Sequence, residues 1–307
     1  MRIGLVLRGL GPARPDGRLL PPRAWPGATL GRMSQLRQRW LAATTSRRHS
    51  PEAFLAVGGP GPQAQRVVAC VGDSITQGLV SANYVDMLRR AYSGAGFQFV
   101  NAGRNNDLAH SVLKRIDAVV ACQPHYVTLL VGTNDVNARF SRRWEWIYRI
   151  QGRLPARPSL AWYCEGIEGI LIEFKARTEA QLAVLDLPML GEDLSSATNR
   201  RINDYNRALH EITSRLGVAC LPLHDRLLAL MPSESAAPPY RGRVRNVISA
   251  SFEHIILGRS WDEISRRRGL ALLTDQTHLN DIAAEVVAEL IGGFIAPAPL
   301  ARSTDGS

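Results

Sequence analysis

Lysine is nearly absent: the 307-residue chain has two Lys against 35 Arg. That imbalance points to a GC-rich coding sequence, so composition accounts for part of the formal charge of +10. Acidic residues are missing from the N-terminal end. Residues 1–50 hold ten Arg and a single Asp, so nine of the ten net positive charges lie there and the rest of the chain is close to neutral. A near-neutral body gives no argument for a polyanion partner, and no nucleic-acid partner is expected. Cysteine is scarce too. Cys70, Cys122, Cys164 and Cys220 are widely spaced and form no C-x-x-C pair, which argues against a zinc site or a disulfide framework and favours a reducing compartment. Cys70 and Cys220 fall in apolar segments expected to be buried strands, where a free thiol acts as a small hydrophobe. Long apolar runs are lacking: none approaches the roughly 18–20 residues of a membrane-spanning helix. The apolar stretch 3–7 is too short for a signal peptide and is interrupted by Arg8. A cytoplasmic protein without a transmembrane segment is expected, and no feature specifies an oligomeric state.

What is present divides the chain unevenly. Residues 1–63 are rich in Arg, Pro and Gly, with helical periodicity only over 33–43. A disordered extension is expected there. An organellar transit peptide, Arg-rich and acid-poor, and an untranslated upstream stretch with Met33 as the start are the competing accounts. Gly58-Gly59-Pro60-Gly61-Pro62 reads as a linker. A catalytic domain is expected over 64–296, and a disordered tail over 297–307.

From 64 onward short apolar runs alternate with helical periods. Strands are predicted over 67–72, 97–102, 126–131, 181–187 and 218–223, the fourth ended by Pro188. Helices are predicted over 84–92 and 167–176, from the period Leu108, Val112, Ile116, Val119, and from Ile202, Tyr205, Leu209, Ile212, Leu216. The last helix shows Ile282, Val286, Val287, Leu290 and Phe294 on its apolar face. Strands without polar alternation, separated by helices, imply a parallel sheet covered on both faces. The expected class is α/β: a three-layer α/β/α sandwich on a five-stranded parallel sheet. Two stretches, 136–165 and 232–272, exceed ordinary loop lengths. The first holds six Arg and six aromatics. It reads equally as a lid or acyl-binding wall and as a packed helix face with Trp144 and Tyr148 at i,i+4. The second contains Ser260-Trp261-Asp262-Glu263, which fits a capping box.

Ligands in such sheets sit beyond the carboxyl ends of the strands, and polar residues cluster there. The first strand runs into Gly72-Asp73-Ser74, the second into Asn101-Ala102-Gly103-Arg104-Asn105-Asn106-Asp107, the third into Gly132-Thr133-Asn134-Asp135. Asp275-x-x-His278 precedes the final helix. A serine at a strand-to-helix turn, a histidine and a carboxylate are the parts of an activated nucleophile. Alone, Ser74 reads as a helix N-cap, and Asp73 and Asp135 as loop organisers. His224, beside Asp225 at the end of the fifth strand, is a rival base. His110, His125, His210 and His254 read as surface or core residues.

In these four blocks, in this order and spacing, the chain resembles the SGNH/GDSL hydrolases, a family of esterases and lipases, over about 67–292. The resemblance implies a flavodoxin-like SGNH fold. It also implies Ser74 as nucleophile, His278 as general base and Asp275 as the acid orienting it. The oxyanion hole would be formed by the Ser74 N–H, the Asn134 side-chain amide and a backbone N–H at Asn106. It implies an ester substrate, small-molecule, lipid or carbohydrate, and no cofactor or metal. The sequence departs from the family at Asn106, where a glycine is usual, and at Gln276, between the Asp and the His. Asn tolerates positive φ better than other non-glycine residues. Arg104, Asn105, Trp144 and Trp146 are candidate substrate contacts. The ordinary α/β-hydrolase fold is disfavoured because Thr76 stands where the second glycine of G-x-S-x-G belongs. An acyltransferase on the same site and a non-catalytic binding protein on the same fold are the alternatives.

Overall fold

The structure is a computed structural model that describes residues 49–61, 64–151, 157–232 and 237–296. Five strands, β1 (Arg66–Gly72), β2 (Phe97–Gly103), β3 (Tyr126–Leu130), β4 (Gln181–Leu185) and β5 (Ala219–Leu221), form one sheet in the order β2-β1-β3-β4-β5. Every pairing is parallel. Central strand β1 has no solvent face: Val68 and Cys70 enter the core on one side, Ala69 and Val71 on the other. Burial pushes the Cys70 thiol up to about 12, the behaviour of a core residue. Edge strand β5 is only three residues long, and Cys220 on it is half-buried rather than buried.

Helix α1 (Pro51–Ala56) precedes β1, and α2 (Ser74–Gln77) and α3 (Tyr84–Ala91) follow it. Helices α4 (Ala109–Leu113) and α5 (Ile116–Ala121) link β2 to β3. Helices α6 (Thr133–Ala138), α7 (Arg142–Gln151) and α8 (Leu160–Arg177) lead to β4, and α9 (Ala197–Leu216) leads to β5. After β5 come α10 (Leu223–Leu228), α11 (Val244–Ile255), α12 (Trp261–Arg267) and α13 (Asp281–Ile295). One sheet face is covered by α3, α10, α12 and α13, the other by α4, α5, α8 and α9. The predicted α/β/α layering on a five-stranded parallel sheet is the observed one. Helix α9 shows the local logic. Ser196 caps it by accepting from the Asn199 N–H, Ile202, Tyr205, Leu209 and Ile212 are buried, and Gly217 ends it in the left-handed conformation. Ser260 likewise accepts from the Glu263 N–H at 3.1 Å at the start of α12.

Several expectations need correction. The extension predicted as disordered over 1–63 is ordered over 49–61. Ser50 caps α1, Pro51 opens it, and Phe54 is buried with Val67, Val100 and Cys122. A buried aromatic anchors this helix to the sheet edge, and its composition hid that. Residues 1–48 and 297–307, the remainder of the predicted extension and the tail, lie outside the described residues. The long stretches 136–165 and 232–272 carry α7, the start of α8, α11 and α12, in keeping with the helix-face reading of the first and the capping box in the second. The helical period 108–119 is split between α4 and α5 at Lys114-Arg115, where the Arg115 side chain turns inward. On α13 the buried residues include Ala283, Ala284, Val286, Val287, Ile291 and Ile295. Ile282 is exposed, and Leu290 and Phe294 are only half-buried. Among the described residues no helix is long and apolar enough to cross a membrane.

Candidate active site

With β1 flanked by β2 and β3, the connections leaving these strands diverge and open a crevice at their carboxyl ends. Ser74, Asn106 and Asn134 follow those three strands. Ser74 is the first residue of α2, whose N-cap Asp73 accepts from the Ile75 N–H at 2.9 Å. Gly72 makes the turn possible: a Cβ there would collide with the Leu130 carbonyl and the Thr76 side chain. Arg115 ties the ends of the strands together. It donates to the carbonyls of Gly72 at 3.0 Å and Ala102 at 2.8 Å and pairs with Asp107 at 2.6 Å.

Asp275 and His278 arrive from the segment between α12 and α13. His278 Nδ1 donates to Asp275 Oδ2 at 2.8 Å, and the Ser74 hydroxyl donates to His278 Nε2 at 2.9 Å. The other carboxylate oxygen, Oδ1, accepts from the N–H groups of Thr277 and His278, each at 2.9 Å. All three side chains are buried. Burial raises the Asp275 carboxyl, but the His278 charge and these hydrogen bonds outweigh it and hold Asp275 below the usual range. For His278 burial favours the neutral ring; Asp275 and, more weakly, Asp73 outweigh that and hold the imidazole above its ordinary value.

The segment carrying the pair is held from beneath. The buried Glu192 carboxylate accepts from the N–H groups of Ala271, Leu272 and Leu273, each at 2.8 Å. A bridge joins Leu273 to Leu279, and the Thr274 N–H donates to the His278 carbonyl at 2.8 Å. Gln276, where the family has glycine, adopts φ 78° and donates from Nε2 to the carbonyls of Pro238 at 2.7 Å and Pro239 at 3.1 Å. It therefore clamps a neighbouring segment onto the site.

Asn106 adopts φ 64°, the left-handed conformation expected of a residue replacing glycine. Neither its N–H nor that of Ser74 meets a protein acceptor among the described residues, and both residues line the same cavity. The Asn134 amide is differently placed. Its Nδ2 donates to the Asp107 carbonyl at 2.9 Å and makes a long contact of 3.4 Å to Asp73 Oδ2. Asn134 Oδ1 accepts from the Tyr148 hydroxyl at 2.7 Å. That hydroxyl accepts from Asn137 Nδ2 at 3.1 Å, and Asn137 Oδ1 accepts from the Tyr240 hydroxyl at 2.7 Å. Burial pushes Asp73 up to about 7. Asp135, also raised by burial, accepts from the Ala109 N–H at 3.1 Å and so ties α4 to α6.

A cavity of about 420 Å³ opens over Ser74 and His278. Asn105 and Trp144 line it, as expected; Trp146 and Arg104 do not. Trp146 points outward on α7, 64% exposed. Arg104 faces Glu52 of α1 across 3.8 Å. In the 136–165 segment Trp144 and Tyr148 stack on α7 with ring centroids 5.5 Å apart, and both line the cavity. Residues 152–156 of that segment lie outside the described residues. The rival base His224 is engaged elsewhere, donating from Nδ1 to the Leu187 carbonyl at 3.0 Å and from its N–H to Asp186 at 2.6 Å. Sequence reasoning missed Asn137, Ile147, Tyr240, Arg243 and Val247 of the cavity wall. The i,i+3 spacing of Asn134 and Asn137 on α6 would have found Asn137; Tyr240 lies over a hundred residues away with no local signal. Among the described residues no group of His, Cys, Asp or Glu is placed to hold a metal ion.

The model of the GDSL-like lipase/acylhydrolase family matches residues 70–238, more than half of the chain. No curated protein matches the sequence. Among solved structures, a catalytic mutant of an acetylxylan esterase from Geobacillus stearothermophilus is similar with a TM-score of 0.53 at 14% identity, over 76% of this chain and 95% of that one. Another acetylxylan esterase gives 0.52 at 17% identity, over 75% and 99%. A lipase/acylhydrolase from Enterococcus faecalis gives 0.51 at 20% identity, over 75% and 95%. These structural likenesses are of fold. The family match carries Ser74, Asn106 and Asn134 but ends before Asp275 and His278, which the tertiary structure brings to Ser74. On the family match the chain belongs to the GDSL-like lipase/acylhydrolase family and is an ester-bond hydrolase.

Proposed function

We propose that the chain cleaves carboxylic esters through an acyl-enzyme on Ser74. The observation that carries this is the unbroken relay from Ser74 Oγ through His278 to Asp275, 2.9 and 2.8 Å long. His278 Nε2 takes the hydroxyl proton as Oγ attacks the ester carbonyl, and Asp275 holds the ring in the Nδ1–H tautomer and offsets the imidazolium charge. The tetrahedral oxyanion would be met by the N–H groups of Ser74 and Asn106 and by Asn134 Nδ2, which trades its long contact to Asp73 for the stronger bond. His278 then returns the proton to the leaving alcohol, and water repeats the sequence to free the acid.

Val80, Ile147, Val247 and Trp144 give the cavity apolar walls, which supports an acyl group larger than the acetyl implied by the acetylxylan esterases. A panel of 4-nitrophenyl esters graded by acyl length reads this directly, with kcat/KM rising beyond the acetyl ester. A fluorophosphonate probe should label the protein at Ser74, and Ser74→Ala should abolish both labelling and turnover. Full turnover in Ser74→Ala would sink the assignment. Acyl transfer is the second reading, favoured by the burial of Ser74 and His278, 7% and 6% exposed. An added alcohol should then divert the acyl group into a new ester at the expense of free acid.

A further inference from the structure

Next to the catalytic cavity lies a second one of about 520 Å³. Arg143 of α7 and Arg241, Arg243 and Arg245 at the start of α11 frame it, and no acidic residue lines it. The two cavities share Trp144, Gly242, Arg243 and Val244 in their walls. Among the described residues none of these four guanidinium groups makes an ion pair. At the other end of α11 the pattern reverses: Glu253 lies within ion-pairing distance of Arg259, Arg267 and Arg268, and Glu263 within that of Arg259. The first group of arginines is therefore left uncompensated in a body of nearly neutral charge.

Their placement does not serve the helix. Arg243 is the N-cap of α11 and makes no capping bond, and cations are disfavoured at that end of a helix dipole. The charges repel one another: Arg245, then desolvation and Arg241, lower the pKa of Arg243. The segment is nonetheless pinned. Trp144 Nε1 donates to the Gly242 carbonyl at 2.8 Å, and Gly242 has φ 53° with no room for a Cβ, which would fall 2.6 Å from Trp144 Nε1. An anion bridging these groups would offset the repulsion and meet the planar forks that suit phosphate and carboxylate.

We propose that this arginine-lined cavity is a subsite for an anionic group, a phosphate or carboxylate, carried by the ester substrate a few bonds from the scissile carbonyl. The proposal rests on the ester-hydrolase reading for its substrate and on the cavity itself for its anion.

Two matched substrate pairs test it. One is 4-nitrophenyl pentanoate against the 4-nitrophenyl monoester of adipic acid, which adds a carboxylate to the acyl half. The other is monobutyrylglycerol against butyrylglycerol 3-phosphate, which adds a phosphate to the alcohol half. For at least one pair the anionic ester should have the higher kcat/KM. Arg241→Gln/Arg245→Gln should lower the anionic-to-neutral ratio roughly tenfold, mainly through KM. Arg245→Lys should retain most of the ratio, and added salt should erode it. Presenting the phosphate ester in phosphatidylglycerol vesicles and in free solution separates a lipid-borne from a soluble source. A ratio near one in wild type, or one indifferent to the double substitution in both pairs, overturns the proposal. Calorimetric titration of phenyl phosphate into Ser74→Ala reads the subsite without hydrolysis. Binding lost in the double variant, with no ester turned over by wild type, leaves the subsite standing and fails the hydrolase reading. Turnover without any phenyl phosphate binding or anion preference does the reverse.

Discussion

The proposed proton-relay half of the site and the proposed oxyanion half are held by different kinds of structure. Asp275 and His278 lie three residues apart on one tight segment, so a single turn sets their mutual geometry, and Glu192 anchors that segment through three backbone N–H groups. The oxyanion half draws on three strand ends. Its Asn134 amide is oriented by Tyr148, which Asn137, on the same helix as Asn134, and, through it, Tyr240 of a third segment hold in place. The first half is complete before substrate arrives. In the second, Asn134 Nδ2 is already bonded to the Asp107 carbonyl, so only its weaker second contact is free to be exchanged. A local unit is rigid by its own hydrogen bonds; an assembled one depends on every neighbour that aims it.

Breaking the relay should cost most. Asp275→Asn should lower kcat by about four orders of magnitude, because the amide no longer selects the productive His278 tautomer. The pH profile carries the sign. The proposed mechanism needs neutral His278, whose pKa the folded protein raises, so the acid limb of wild-type kcat/KM should lie above the ordinary imidazole value of about 6.5. Removing the Asp275 charge withdraws that support, and the limb of the residual activity should move to lower pH. A limb that stays in place would mean that another group titrates there.

On the other half, Asn134→Ala should lower kcat roughly 100–1000-fold. Fluorophosphonate labelling of Ser74 should persist at a reduced rate, since the relay is untouched. Equal loss of both on the scale of Ser74→Ala would join the two halves into one. Tyr148→Phe should lower kcat by roughly tenfold, about the worth of one buried hydrogen bond, with KM little changed. A change in KM alone would make Tyr148 a substrate contact rather than a positioning residue. The smallest effect belongs to Asn106→Gly, which keeps the backbone N–H and the positive φ while opening the cavity. Activity intact or raised is expected, and a hundredfold loss would show that the Asn106 side chain itself acts on substrate.

The reading of the sequence succeeded where physics is local. Unbroken apolar runs marked a two-sided parallel sheet, because strands buried on both faces have no polar alternation. Polar residues at strand ends pointed to the cavity that Ser74, Asn106 and Asn134 line, because parallel sheets bind ligands there. The wheel on α13 misled because several of its buried positions are small: Ala283 and Ala284 face the core while the bulkier Ile282 faces solvent. Helix α1 was hidden by an Arg-Pro-Gly-rich composition, yet one aromatic, Phe54, suffices to dock it. Trp146 and Arg104 share segments with true cavity residues but project elsewhere, and helical phase or loop direction alone separates them from Trp144 and Asn105.

By itself the sequence put forward Ser74 and the Asp275-x-x-His278 pair as candidates, since their spacing and flanking patterns are fixed along the chain. It also determined the layered sheet that brings strand ends to one edge. The tertiary structure alone decided which hydroxyl faces Asn134, what the Gln276 side chain clamps, and where four arginines without an ion pair among the described residues gather beside the cavity over Ser74. Those arrangements join segments as much as a hundred residues apart, and no periodicity or local spacing encodes the distance between them.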